Sequence, residues 1–97
     1  MSTNKFINSA KKTIEIQADS IASLINQIDK SFAEIGKKVS LLKGKLIVMG
    51  VGKSGHVGQK VSATLASTGT PSFFIHPTEA AHGDLGMIAK DDAVLIF

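Results

Sequence analysis

The chain has 97 residues, 43% of them apolar and 20% charged, and its 11 basic and 8 acidic side chains leave a net charge of +3. That length bounds it to one small domain burying about 60–65% of its extended surface, and the composition is globular rather than disordered. The absence of cysteine excludes a disulfide framework and any thiolate-held metal, while the lack of a run of about 18 apolar residues and of a charged-then-apolar leader predicts a cytoplasmic protein with no membrane span.

From the start to Leu42 the apolar residues recur at helical spacing. Ile14, Ile21, Ile28, Ile35 and Leu42 stand seven apart, with Ala18, Ile25, Phe32 and Val39 between them. Steps alternating between three and four are those of a packed helical seam. Asn8 or Ser9 is expected to open a first helix. Asp19 and Ser20 are candidate caps for a second, which would make the segment a helical pair. Gly36 weakens the far end. This N-terminal helical segment is read as residues 1–42.

From residue 43 the punctuation becomes that of an α/β unit. Lys45–Met49 is a short apolar run, suited to a strand buried on both faces. A glycine-rich turn follows, Gly50-Val-Gly52-Lys53-Ser54-Gly55. Val57–Ser67 carries the pattern of a helix, with Gly69 as its stop. Ser72–Ile75 is a second strand, Pro77–Ala81 a short helical turn, and Asp92–Phe97 a third strand. Strand, helix, strand, short helix, strand predicts parallel pairing through crossovers. An apolar strand at the very end suggests the N-terminal part of a longer, Rossmann-like α/β domain.

All eleven basic residues are lysines, and there is no Arg, Trp or Tyr. Nucleic-acid readers rely on arginine forks and stacked aromatics, so no nucleic-acid partner is expected. The cluster Lys37, Lys38, Lys43 and Lys45 reads as a solvated helix end and strand start.

The glycine turn admits three readings. A P-loop fails on spacing, because the glycine required five positions before the Gly52 of Gly52-Lys53-Ser54 is replaced by Ile47. Gly50, Gly52 and Gly55 satisfy the dinucleotide pattern literally, but the acid that should close the second strand is absent there, Glu79 being the nearest. The third reading is a sugar-phosphate site. A strand end feeding a helix start offers free backbone N–H groups and the positive end of the dipole. Ser54 adds a hydroxyl, Lys53 a cation, and Gly52 and Gly55 let a ligand approach the backbone. A plain tight turn would need the glycines for their dihedrals alone. The second constellation is His76-Pro-Thr-Glu79-Ala-Ala-His82-Gly-Asp84, expected on the same sheet edge. These side chains suit proton transfer. They could also bind metal, a weak signal at this spacing, or cap turns and hydrogen-bond locally. His56 reads as a supporting residue.

Three stretches, Lys43 to His56, Ala63 to Pro77 and Glu79 to Met87, together resemble the bacterial D-arabinose 5-phosphate isomerases, which carry a sugar isomerase (SIS) domain. The resemblance implies a parallel sheet between helices, with residues 43–97 as the first part of the SIS domain. It implies interconversion of D-ribulose 5-phosphate and D-arabinose 5-phosphate without cofactor or metal, feeding synthesis of the Kdo sugar of lipopolysaccharide or capsule, in homotetramers. By the same resemblance Lys53, Glu79 and His82 are catalytic and Ser54 and His82 bind substrate, joined in the binding set by Gly52 and Gly55 of the turn itself. It also implies that the main carboxylate base, a ring-opening histidine and a serine-rich loop lie beyond Phe97, so that the 97 residues alone would be inactive. A non-catalytic SIS module that binds a sugar phosphate or regulates is the alternative.

Overall fold

The computed structural model describes residues 2–97, which form two compact units, one up to Ile35 and one from Gly36 to Phe97. In the first unit, helix α1 spans Thr3–Ser23 and a 3-10 turn follows at Leu24–Gln27. Helix α2, Lys30–Ser40, begins in this unit and ends in the second. The helical pair is present, but its break lies elsewhere than Asp19 and Ser20. α1 starts earlier than Asn8 and runs through both of those residues. Ser20 Oγ donates to the Ile16 carbonyl at 2.9 Å, so its hydroxyl is engaged within α1 and caps nothing. The cap belongs to Asp29, whose Oδ1 accepts from Ser31 N–H at 3.0 Å and Ser31 Oγ at 2.7 Å. Ile28 adopts extended backbone just before it, so the heptad seam is interrupted there. α2 continues through Gly36 to Ser40.

The second unit is built on a parallel three-stranded sheet of order β2-β1-β3, with β1 Leu46–Met49, β2 Ser72–Phe74 and β3 Ala93–Ile96. Each strand is a little shorter than its apolar run. Helix α3, Gly52–Ser67, crosses from β1 to β2, and the short helix α4, Pro77–Ala81, follows β2. A 3-10 turn at Asp84–Met87, which the sequence pattern did not announce, leads on toward β3. Gly69, at φ +104°, stops α3 as expected.

The central strand explains the apolar run. Ile47 and Val48 have no exposed surface, and Leu46 and Met49 are buried with them. Alternation sends these side chains to two faces. Ile47 and Met49 form the core with Ile75 and with Ala80 of α4, while Val48 meets α3 at Gly58. A Cβ on Gly58 would lie 3.1 Å from both Val48 Cγ1 and Phe74 Cε2, so glycine here sets how closely helix and sheet approach. The register pairs Ile47 with Val94 and Met49 with Ile96, which puts those two β3 residues on the α4 face.

At the opposite end of the sheet, Asp92 joins β3 to β1. Its Oδ1 accepts from Lys45 N–H at 2.7 Å, and its Oδ2 accepts from Ala89 N–H at 2.7 Å. The Lys45 ammonium stands 3.9 Å away, and the carboxylate side chain is 1% exposed. Gly44 sits against Asp91 O and Asp92 Oδ1, leaving no room for a Cβ. The two backbone N–H bonds, that of Lys45 first, hold the Asp92 carboxyl below the ordinary aspartate value of 3.8, with the Lys45 charge adding to them.

Candidate functional site

The site is assembled from two turns that leave the C-terminal ends of neighbouring strands. The first leaves β1. Gly50 is buried at the strand end, and Val51 takes extended backbone as the N-cap of α3. Helix α3 begins at Gly52, not at Val57, so Lys53, Ser54 and Gly55 are residues of its first turn. This corrects the expectation of a turn running to Gly55 with the helix starting at Val57; the Gly55 N–H already donates to the Val51 carbonyl at 3.3 Å, so the helix start ahead of it is Gly52, Lys53 and Ser54. The first N–H groups of any α-helix lack an intrahelical acceptor. No side chain caps this end, and no acidic residue stands in its first turn. The positive end of the dipole is therefore available to an anion.

The glycines divide their work. Gly52 has φ +59°, in the left-handed region that favours glycine, and nothing stands within 4 Å of where its Cβ would be. Gly55 is buried, and a Cβ there would meet the Gly50 carbonyl oxygen at 2.6 Å. A Cβ on Gly50 would in turn meet the Ser54 carbonyl at 2.9 Å. Gly50 and Gly55 thus pack the turn against the helix, whereas Gly52 opens it. Lys53, Ser54 and His56 are exposed on this first turn.

The second turn leaves β2. Ile75 is buried, and its N–H donates to the Val48 carbonyl at 2.9 Å, which pins the strand end to β1. His76 follows as the N-cap of α4, with its Nδ1 accepting from Thr78 N–H at 3.1 Å. Pro77 occupies the first helical position, where its missing N–H costs nothing, and Glu79 stands in the first turn, where its charge suits the dipole. Cap, proline and acid at these offsets are a legible helix-start signature. Of the readings open for His76, local hydrogen bonding is the one this geometry displays. The helix ends at His82, whose N–H donates to the Thr78 and Glu79 carbonyls at 3.2 and 3.1 Å. Gly83, at φ +130°, then turns the chain into the segment that starts with Asp84.

Glu79 and His82 are exposed, Asp84 is half-buried, and Ala80 between them is in the core. Both turns therefore present Lys53, Ser54, Glu79 and His82 at the C-terminal edge of the sheet, where open α/β sheets bind ligands. Among the described residues no hydrogen bond or ion pair joins these four side chains to one another, and no three His, Asp or Glu side chains gather as a metal site. No helix of the described residues is long and apolar enough to cross a membrane.

Residues 42–97 match the family model of the SIS domain. The chain is 56% identical over 90 residues to the arabinose 5-phosphate isomerase KdsD of Pseudomonas aeruginosa, covering 93% of this chain and 28% of that protein. It is 50% identical over 90 residues to the KdsD of Escherichia coli, covering 93% of this chain and 27% of that protein. The chain thus spans little more than a quarter of the length of these curated relatives. Among solved structures, the Escherichia coli CFT073 protein c3406 in complex with arabinose 5-phosphate superimposes with a TM-score of 0.92 at 44% identity, over 99% of this chain and 51% of that one. A structure from Listeria monocytogenes shares the fold, with a TM-score of 0.90 at 24% identity over 99% of this chain and 51% of that one.

Proposed function

The chain belongs to the SIS domain family, and we propose that it supplies the phosphate-gripping and proton-handling turns of a D-arabinose 5-phosphate isomerase. One observation carries this reading. An uncapped helix start bearing Lys53 and Ser54 lies on the strand next to the one that delivers Glu79 and His82, all at one sheet edge.

An aldose–ketose isomerase moves a proton between adjacent carbons. A base removes the proton on the carbon next to the aldehyde while the aldehyde oxygen gains one, giving an enediol. A proton then returns to the former aldehyde carbon as the neighbouring hydroxyl loses its own, leaving the ketose. The substrate phosphate suits the N–H groups at the start of α3 with the Ser54 hydroxyl, and Gly52 leaves the backbone open to it. The Lys53 ammonium suits the phosphate or the oxygen that becomes negative in the enediolate. Glu79 and His82 are the acid–base groups this chain offers. The names of the KdsD relatives and the sugar phosphate bound by the c3406 protein support the pentose 5-phosphate as substrate. Supply of Kdo synthesis in the cytoplasm by a homotetramer is part of the same proposal.

The test is conversion of D-arabinose 5-phosphate to D-ribulose 5-phosphate by the complete gene product. Turnover without added nicotinamide cofactor or metal is the expected result. Tight binding of the sugar phosphate with no turnover would instead identify a non-catalytic sugar-phosphate module. Equal thermal protection by NAD and by arabinose 5-phosphate would contradict the assignment of the glycine turn.

A further inference from the structure

The geometry points to His76 as a positioning residue of the Glu79–His82 turn, acting through a neutral imidazole that caps α4; this rests on the isomerase reading above. Helix α4 has only five residues. A helix of that length cannot sustain itself, because forming its first turn costs more order than its few hydrogen bonds return. It must be held from outside. Ala80 anchors one side in the core with Ile47, Met49 and Ile75. At the C-terminal end Gly83 N–H donates to the Ala80 carbonyl at 3.2 Å. At the N-terminal end the Thr78 N–H has no helical acceptor, and His76 Nδ1 accepts it at 3.1 Å. Glu79 follows Thr78 directly, so this one bond sets the first turn that carries the carboxylate.

The bond also specifies the ring. An Nδ1 that accepts an N–H carries no proton, so the neutral imidazole holds its hydrogen on Nε2. Only this tautomer can cap the helix. His76 itself is placed firmly, because Ile75 before it is buried and hydrogen-bonded to β1, and Pro77 after it has a fixed φ. The two acid–base groups thus depend on a third residue whose part is to orient them.

The experiment compares two variants of the complete gene product in the pentose 5-phosphate isomerase assay. His76→Ala removes the acceptor and is expected to lower kcat about tenfold with KM changed by less than about twofold. His76→Asn supplies an Oδ1 that can accept the same N–H and is expected to restore kcat to within about threefold of the parent. Parental kcat in His76→Ala overturns the proposal, and so does an Asn variant as slow as the Ala variant, because the imidazole would then act in its own right. Long-range ¹H–¹⁵N spectra of the parent read the ring directly. An unprotonated Nδ1 with a protonated Nε2 on His76 supports the cap, and the reverse tautomer overturns it. A parent that isomerises no pentose 5-phosphate sinks the isomerase reading, and the positioning role with it, while the tautomer still decides whether the cap exists.

Discussion

Lys53 stands on the first turn of α3 with its side chain exposed and no acid in that turn to neutralise it. A cation so placed contributes most when negative charge develops beside it. Lys53→Ala in the complete gene product is therefore expected to lower kcat at least about a hundredfold, roughly 3 kcal/mol of transition-state stabilisation, with the melting temperature little changed. Unchanged kcat and KM would remove Lys53 from the site. Two glycines, Gly55 in this turn and Gly36 in α2, should behave differently. Gly55→Ala drives a Cβ onto the Gly50 carbonyl oxygen at 2.6 Å, against backbone that has little freedom to move. A loss of about 1–3 kcal/mol in denaturant unfolding is expected. Gly36→Ala meets nothing within 4 Å and lies in exposed helix, and there a gain of up to about 1 kcal/mol is expected.

At the scale of the element, β3 is held at its start by the Asp92 carboxylate and along its length by the β1 ladder. The native Asp92 carboxyl titrates below its ordinary value of 3.8, because the charged form accepts the N–H groups of Lys45 and Ala89. Stability from a depressed carboxyl is fully present above the unfolded value and is lost as pH falls through the folded one. Thermal melts should thus show stability falling in acid below about pH 4. Asp92→Asn turns one oxygen into a donor facing a donor. It is expected to lower the melting temperature at neutral pH and to flatten the acid limb. An acid limb that survives unchanged in the variant would show that other carboxyls produce it. The Asp29 cap of α2 is depressed as well, chiefly by the Ser31 hydroxyl, but it is an exposed, local bond.

The whole molecule leaves much apolar surface in water. β3 is an edge strand, and Ile96 on it is 69% exposed, with Val94 and Phe97 open beside it. In the first unit the seam residues Ile14, Ile21, Ile25, Ile28, Phe32 and Ile35 are all exposed. Strand edges with free backbone groups and apolar flanks recruit another chain. The 97-residue polypeptide, purified alone, is expected to associate at micromolar concentration by light scattering. Ile96→Lys should reduce the associated mass, since a charge on an edge strand opposes pairing. A parent that stays monomeric would show that neither surface is adhesive.

The features governed by local pattern were legible in the sequence. The run at 45–49 marks a strand buried on both faces, since apolar residues without alternation suit only such a strand, and Leu46 to Met49 are buried. The glycine turn, the short helix at Pro77–Ala81 and the order of strands and helices follow from residues with strong backbone preferences. The SIS resemblance of the segment from residue 43 rests on motifs of the same kind, and the family match bears it out. Other features depend on partners distant in sequence. Asp92 and Lys45 lie 47 residues apart, and only the parallel register of β3 on β1 brings that carboxylate to that N–H. Ser20 could have capped a helix; whether its hydroxyl turns back to Ile16 or forward depends on where α1 ends, and the Asp29 cap with the Leu24–Gln27 turn decides that. The start of α3 at Gly52 was equally hidden, because glycines read as loop until their packing shows otherwise. Here the close approach of Gly50 to Gly55, and of Gly58 to Val48 and Phe74, draws the helix down onto the sheet and carries Lys53 and Ser54 into its first turn.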